Sequence, residues 1–164
     1  MKHILLDVMA LHEKDILHED LEPGSIFVDS NGNLKLSDFG VSKQFPDSMS
    51  YTGAAKGTYS NPEVLKGEEY DFSADIWSLD YIFHELCCFE PPCTEKNTYI
   101  FIKWWEMKSY NIDVIPKKYN KEIKNLVLSM LNYDRSLRPN CELLLSISFL
   151  IRLEWCIVWQ ICKL

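Results

Sequence analysis

The chain has 164 residues, of which 47% are apolar and 13% aromatic, so it is long enough to bury one substantial core and short for two domains. Its formal net charge of -7 disfavours nucleic acid and anionic membranes as partners, because both require a basic protein face. These properties leave a protein substrate or a protein partner as the expected ligand class.

Local patterns disfavour a membrane protein and a secreted protein. No stretch reaches the roughly 18 uninterrupted apolar residues of a membrane span, because charged and amide side chains interrupt the most apolar segment, residues 147–164. The six cysteines lack the CxxC spacing typical of zinc sites, and no secretory leader precedes them. We therefore expect reduced, mostly buried thiols in an intracellular protein of the cytoplasm.

The first elements in chain order are a helix and a hairpin. Apolar residues recur at helical spacing in residues 3–14, which predicts a short helix. Residues 25–38 form two alternating segments around Asn31-Gly32, a strong hairpin-turn signal. This hairpin starts just after the loop of Asp20 and ends at Asp38. We therefore expect these two carboxylates to face each other across one cleft.

The second half of the chain is predicted to be helical. Residues 41–59 are rich in Ser, Thr, Gly and Lys and lack periodicity, which predicts a loop. Residues 75–89 are apolar on nearly all sides, as is typical of a helix at the centre of a domain. Within this helix Asp80 would be a buried charge unless His84, one helical turn later, pairs with it. Further helices are predicted at residues 99–108, 123–131 and 140–150.

Five short motifs carry a family resemblance. They are ILHEDLEPGS at residues 16–25, DFG at 38–40, NPE at 61–63, DIWS at 75–78 and RP at 138–139. In this order they resemble the catalytic loop, the metal-binding triplet, the APE motif, the central-helix start and the late RP motif of eukaryotic protein kinases. The segments GVSK, DIWSL and LNYDRSLRP are most similar to the NIMA-related (Nek) serine/threonine kinases.

The resemblance implies a fold and a domain organisation. The expected fold is mainly α with a small β-hairpin, like the C-terminal lobe of a protein kinase. The N-terminal lobe is expected to be absent, because no Gly-rich loop and no strand lysine precede Asp20. Residues 1–150 are interpreted as this partial kinase domain, and residues 151–164 as an apolar C-terminal tail.

The resemblance also implies functional residues and cofactors. Asp20 matches the catalytic base, Asp38 matches the Mg²⁺ ligand, and Ser25 stands at the second cofactor-binding position, where the family has Asn. ATP and Mg²⁺ are therefore the implied cofactors. Glu22 replaces a lysine that meets the transferring phosphate, and Glu19 replaces an arginine that pairs with a phosphorylated loop residue.

Other matched residues are implied to be structural. Glu63 and Arg138 match the two ends of a buried ion pair that locks this lobe. Asp75 matches the acid that anchors the catalytic loop from the central helix. His18 and Phe39 match positions that pack internally beneath the cleft.

Together these features predict a protein serine/threonine kinase of the Nek type, a family that transfers the γ-phosphate of ATP to protein hydroxyls. Catalysis is expected to be impaired in this truncated chain, because of the three altered loop residues and the missing lobe. One alternative is a non-catalytic, pseudokinase-type module that binds a protein through its helical face or through residues 155–164. Another is a decayed or incomplete gene product.

Overall fold

The computed structural model describes residues 1–44, 59–107 and 110–147. These ranges contain six α-helices and two antiparallel sheets of two strands each. The elements are α1 (Lys2–His12), β1 (Ile16–Leu17), β2 (Ile26–Val28), β3 (Leu34–Leu36), β4 (Lys43–Gln44), α2 (Pro62–Lys66), α3 (Ser73–Cys88), α4 (Thr98–Glu106), α5 (Lys121–Met130) and α6 (Cys141–Leu145). The prediction of a mainly helical fold with a small hairpin is confirmed.

Helix α3 lies at the centre of the core, as its apolar sequence predicts. Its residues from Ala74 to His84 are all buried, and Trp77 and Tyr81 are fully enclosed. Helix α4 contributes Trp105, whose ring meets that of Trp77 edge-on with 4.6 Å between centroids. Such aromatic pairs add about 1 kcal/mol beyond the area that they bury. The central helix is thus held by large, specific side-chain contacts.

Asparagine side chains define the starts of four described helices. Each accepts a hydrogen bond from the backbone N–H three residues later, over 2.8 to 3.1 Å. These residues are Asn61, Asn97, Asn120 and Asn140, which precede α2, α4, α5 and α6. Each cap satisfies a backbone donor that the helix itself leaves unpaired and is worth about 1 kcal/mol.

The predicted hairpin is formed by β2 and β3, with Ile26 opposite Leu36. Asp29 closes its turn, because one carboxylate oxygen accepts from the backbone N–H groups of Asn31 and Asn33 at 2.8 Å each. A second antiparallel pair, β1 with β4, was not predicted. Strands of two residues are too short to show a hydrophobic period, so the sequence carried no signal for them.

Asp80 and His84 do not pair in the structure. Both residues are buried, but His84 Nδ1 lies 3.0 Å from the backbone carbonyl oxygen of Glu90, and its Nε2 faces Cys88. Neither carboxylate oxygen of Asp80 has a hydrogen-bond partner within the described part of the chain. Burial raises the pKa of Asp80 well above its usual range. The fold therefore encloses an unsatisfied acidic group, which is unfavourable.

Two of the remaining helices begin and end close to the predicted positions. The helix predicted at residues 99–108 forms at Thr98–Glu106, and the one predicted at residues 123–131 forms at Lys121–Met130. Helix α6 occupies only Cys141–Leu145 of the range predicted for it, and residues 148–164, including the predicted tail, lie outside the described residues. Within the described ranges, every helix is too short or too polar to cross a bilayer.

Candidate functional site

Asp75, in the first turn of α3, anchors the loop that carries Asp20. Its carboxylate accepts hydrogen bonds from the backbone N–H of His18 at 3.0 Å and of Glu19 at 3.1 Å. His12 Nε2 lies 2.9 Å from one of the same oxygens. Because Asp75 is only 2% exposed, these three contacts compensate for its desolvation. The central helix thus fixes the backbone of the loop, as the resemblance implies.

His18 connects this loop to the hairpin. The imidazole is fully buried, with Nε2 2.9 Å from the backbone carbonyl oxygen of Ser37 and Nδ1 3.4 Å from the backbone nitrogen of Asp20. Ser37 directly precedes Asp38. One buried side chain therefore brings the backbone segments of the two predicted site residues together.

Asp38 begins a short 3-10 turn at the end of β3. Its backbone is left-handed, with φ 64° and ψ 54°, a conformation that Asp adopts more readily than most residues. The side chain of Asp38 is exposed. A carboxylate held on a fixed turn at the edge of a sheet has the chemistry of a ligand for a hard cation.

Asp20 lines a cleft of about 300 Å³ between the loop, α2 and α3. The described lining of this cleft carries four carboxylates and no Lys, Arg or His side chain; these are Glu19, Asp20, Glu22 and Asp75. Asp38 lies outside this lining. The cleft therefore has a negative character and suits cationic groups better than phosphates, although Asp75 contributes least because its carboxylate is buried and hydrogen-bonded.

Glu22 and Ser25 hold each other in a tight turn. Ser25 Oγ donates to the backbone carbonyl of Glu22 at 2.8 Å and accepts from its backbone N–H at 3.2 Å. The Glu22 carboxylate in turn accepts from the backbone N–H of Ser25. The Ser25 side chain is 2% exposed, so its hydroxyl is committed to the backbone of its own turn.

Sequence reasoning missed this turn, although two neighbouring residues signal it. Pro23 supplies the fixed φ of a first helical position, and a Cβ at Gly24 would lie 3.1 Å from Glu22 Oε1. The absence of a side chain at Gly24 lets the Glu22 carboxylate fold back over the turn. The pattern EPGS is therefore a local cap whose order is reversed from the usual Ser-x-x-Glu box.

Glu19 is also held in place by a contact that the sequence did not predict. Its backbone is left-handed, with φ 67°, and its Oε1 accepts a 2.5 Å hydrogen bond from the hydroxyl of Tyr70. Tyr70 is 8% exposed and precedes α3. The residue that replaces the family arginine is thus tied into the protein by a buried tyrosine.

His18 and Phe39, which the resemblance places beneath the cleft, differ in their burial. His18 is buried, as the resemblance implies, whereas Phe39 is 49% exposed. The two rings are in contact, with 5.3 Å between centroids and a tilted geometry. Phe39 therefore covers one face of His18 but leaves half of its own surface open to solvent.

Glu63 and Arg138 form the buried ion pair that the resemblance implies. The guanidinium contacts both carboxylate oxygens, at 2.5 and 2.9 Å, and its Nε donates to the carbonyl of Asn132 at 2.8 Å. Arg138 also lies over the ring of Trp77, at 4.7 Å from the centroid. The pair joins α2 to the segment before α6 across the central helix.

Comparison with known proteins agrees with the motifs. The family model for the protein kinase domain matches residues 1–150. The chain is 36% identical to the human serine/threonine-protein kinase Nek11 over 149 residues, which are 90% of this chain and 23% of that protein. It is 33% identical over 152 residues to the probable serine/threonine-protein kinase nek2 of Dictyostelium discoideum, covering 90% of this chain and 36% of that protein.

A further relative is the mitogen-activated protein kinase kinase kinase 1a of Physcomitrium patens. It is 35% identical over 153 residues, covering 91% of this chain and 20% of that protein. The chain thus spans between a fifth and about a third of the length of these three relatives. The similarity to Nek-type kinases inferred from the motifs is confirmed.

Proposed function

The chain belongs to the protein kinase domain family, and from this we propose that it is a Nek-like serine/threonine kinase lobe in which phosphoryl transfer is impaired. Kinase catalysis depends on positioning the phosphates and neutralising the charge that develops on them. The altered loop residues act against this requirement. The impairment is assigned to the loop itself, residues 18–25.

The observation that carries the proposal is the turn formed by Glu22 and Ser25. Family members have a lysine at the first position, where a cation meets the transferring phosphate. Here a carboxylate lies beside Asp20 in the same cleft, and like charges repel a phosphoryl group. The Glu22–Ser25 hydrogen bonds stabilise this arrangement, so the loop holds the negative charge close to Asp20.

The two metal positions of the family fit this chain unequally. Protein kinases use ATP with Mg²⁺, which supplies positive charge between the phosphate oxygens. Asp38 would hold one ion, because its exposed carboxylate is the oxygen ligand that Mg²⁺ prefers. Ser25 does not fit the second position, since its buried hydroxyl is already satisfied by the Glu22 backbone. Asp20 would accept the substrate hydroxyl proton if transfer occurred.

A second candidate function is non-catalytic binding of a protein partner. The observation that favours it is the charge of the cleft, which has four lining carboxylates and no basic side chain in its described lining. Such a surface attracts Lys and Arg side chains and repels nucleotides. In this candidate function Asp20 is one of several acidic contacts and has no role in proton transfer.

The proposal is tested by transfer of labelled γ-phosphate from Mg-ATP to a basic protein. We expect the chain to incorporate no more label than its Asp20→Asn variant, because the loop opposes the transition state. A full-length Nek11 sample serves as the positive control, and a cooperative melt of both chain samples shows that they are folded. Label incorporation that Asp20→Asn abolishes would contradict the proposed impairment.

A further inference from the structure

The last turns of α3 carry a histidine and a cysteine four residues apart. His84 Nε2 lies 3.6 Å from Cys88 Sγ. At 1.5 Å per residue, His84 and Cys88 lie about 14 and about 20 Å along the helix from Asp75, which anchors the candidate catalytic loop. The pair is therefore separate from the cleft and has no part in the proposed kinase site.

The tautomer of His84 is determined by its surroundings. Its Nδ1 lies 3.0 Å from the backbone carbonyl oxygen of Glu90, and a carbonyl can only accept, so Nδ1 carries the proton. Nε2 is left with its lone pair directed towards Cys88. Histidines that ligate metals commonly donate their other N–H to a backbone carbonyl in this way.

The separation of the two side chains suits a shared ion. Zinc lies about 2.0 Å from histidine nitrogen and about 2.3 Å from cysteine sulfur, so a tetrahedral angle places these two atoms about 3.5 Å apart. The observed separation is 3.6 Å. A third donor is adjacent, because the backbone carbonyl oxygen of Val114 lies 3.8 Å from the same sulfur.

The end of α3 supplies negative partial charge and access to solvent. The C-terminal end of a helix carries partial negative charge, which favours a cation. Burial and the carboxylate of Glu90 raise the pKa of the Cys88 thiol, while Lys118 opposes this, so a bound cation must displace the thiol proton. Cys88 is half-buried, so water can reach the sulfur side of the pair.

We propose that His84 and Cys88 bind a borderline-soft divalent cation, Zn²⁺ or Cd²⁺, with the Val114 carbonyl and water completing its coordination. Binding forms a metal–sulfur bond and releases the thiol proton of Cys88 to solvent. The described residues contain no group of three or more His, Cys, Asp or Glu side chains placed to hold one metal. The affinity is therefore expected to be lower than that of a structural zinc site with four side-chain ligands.

The test is a Cd²⁺ titration followed by thiolate-to-cadmium charge-transfer absorption. It is made in a Cys156→Ser/Cys162→Ser background, which removes the two cysteines that lie outside the described residues. We expect a band that saturates at one equivalent of Cd²⁺ and that is displaced by Zn²⁺. Cys88→Ser should abolish the band, and His84→Gln should weaken Cd²⁺ binding about tenfold or more.

Cys93→Ser is the matched control, because this thiol is buried elsewhere in the core and should leave the band unchanged. Far-UV circular dichroism and a cooperative melt establish that each variant is folded. Cys88→Ser is a mild change at a half-buried position, so the test stands even if the His84 variant fails to fold. The proposal is overturned by a folded chain with no band at large Cd²⁺ excess, by a band that survives Cys88→Ser, or by unchanged affinity in a folded His84→Gln variant.

Discussion

Replacing Asp80 with alanine is expected to stabilise the chain by about 3 kcal/mol at neutral pH, because it removes a buried carboxyl group without a partner. At about 3 °C per kcal/mol, the melting temperature should rise by about 9 °C. Asp80 is fully buried, and neither of its oxygens has a hydrogen-bond partner among the described residues. Alanine fits at this position without a polar group to desolvate, and the cavity it leaves is small.

The gain should depend on pH in a defined direction. Burial raises the pKa of Asp80, so the folded chain resists ionisation that the unfolded chain undergoes freely above about pH 3.9. The part of the penalty that comes from ionisation is therefore absent below that pH and grows as the pH rises. The difference in melting temperature between the two proteins should be smallest near pH 4 and largest near pH 7.

The control for Asp80 is Asp113→Ala, at a side chain that is 83% exposed. Its stability should change by no more than about 0.5 kcal/mol at any pH, as is usual for a surface substitution. A destabilised Asp80→Ala variant, or a gain that does not vary with pH, would show that Asp80 is paired in the folded protein.

Replacing Arg138 with methionine should destabilise the chain by about 4 kcal/mol, because it leaves the buried Glu63 carboxylate unpaired. The substitution removes two contacts to Glu63, the hydrogen bond to the Asn132 carbonyl and the contact with the Trp77 ring. Urea melts should show this loss as a lower midpoint with an unchanged slope.

A double-mutant cycle separates the ion pair from the other contacts of Arg138. The Glu63→Gln/Arg138→Met variant should lose less stability than the sum of the two single variants, since no lone charge remains buried. Arg135→Met is the matched control three residues earlier, where the guanidinium is half-buried and contacts the backbone carbonyl of Glu69. Additive effects at Glu63 and Arg138 would rule out the ion pair as a coupled unit.

The sequence predicted the parts of the fold that depend on local pattern. Helix α3 was recognised because a long apolar segment needs burial on all sides, and the hairpin because Asn31-Gly32 favours one type of turn. The pairing of β1 with β4 was missed, because strands of two residues show no period. Short strands form only where the rest of the fold brings them together.

The sequence predicted which residues belong to the candidate site but not which contacts their side chains make. Helical spacing placed Asp80 and His84 on one face, yet the rotamer of His84 is set by the carbonyl of Glu90, which lies beyond the helix end. The hydrogen bond from Tyr70 to Glu19 joins residues 51 positions apart, a separation that no local pattern reveals. The structure is therefore most informative about side-chain rotamers and about contacts between residues that are far apart in the sequence.

Glu22 is another residue whose side-chain contacts the sequence did not predict. The sequence indicated a carboxylate at the position where the family lysine meets the transferring phosphate. In the structure Glu22 is exposed, caps its own turn with Ser25 and lines the cleft that Asp20 also lines. Pro23 and Gly24 provided the local signal for this cap, but the order of its Glu and Ser is reversed from the usual capping sequence.

The most direct test of the impaired loop is a graft into a relative that is active. Glu, Glu and Ser are introduced together at the three positions of human Nek11 that match Glu19, Glu22 and Ser25 of this chain. Single-turnover phosphoryl transfer is then measured at saturating Mg-ATP. We predict a loss of about a thousandfold, the scale of removing a group that stabilises the transition state, in a chimera that still melts cooperatively. A folded chimera that transfers phosphate within about tenfold of the parent rate, a difference of only 1.4 kcal/mol in the barrier, would contradict the proposal that this loop is what impairs the kinase.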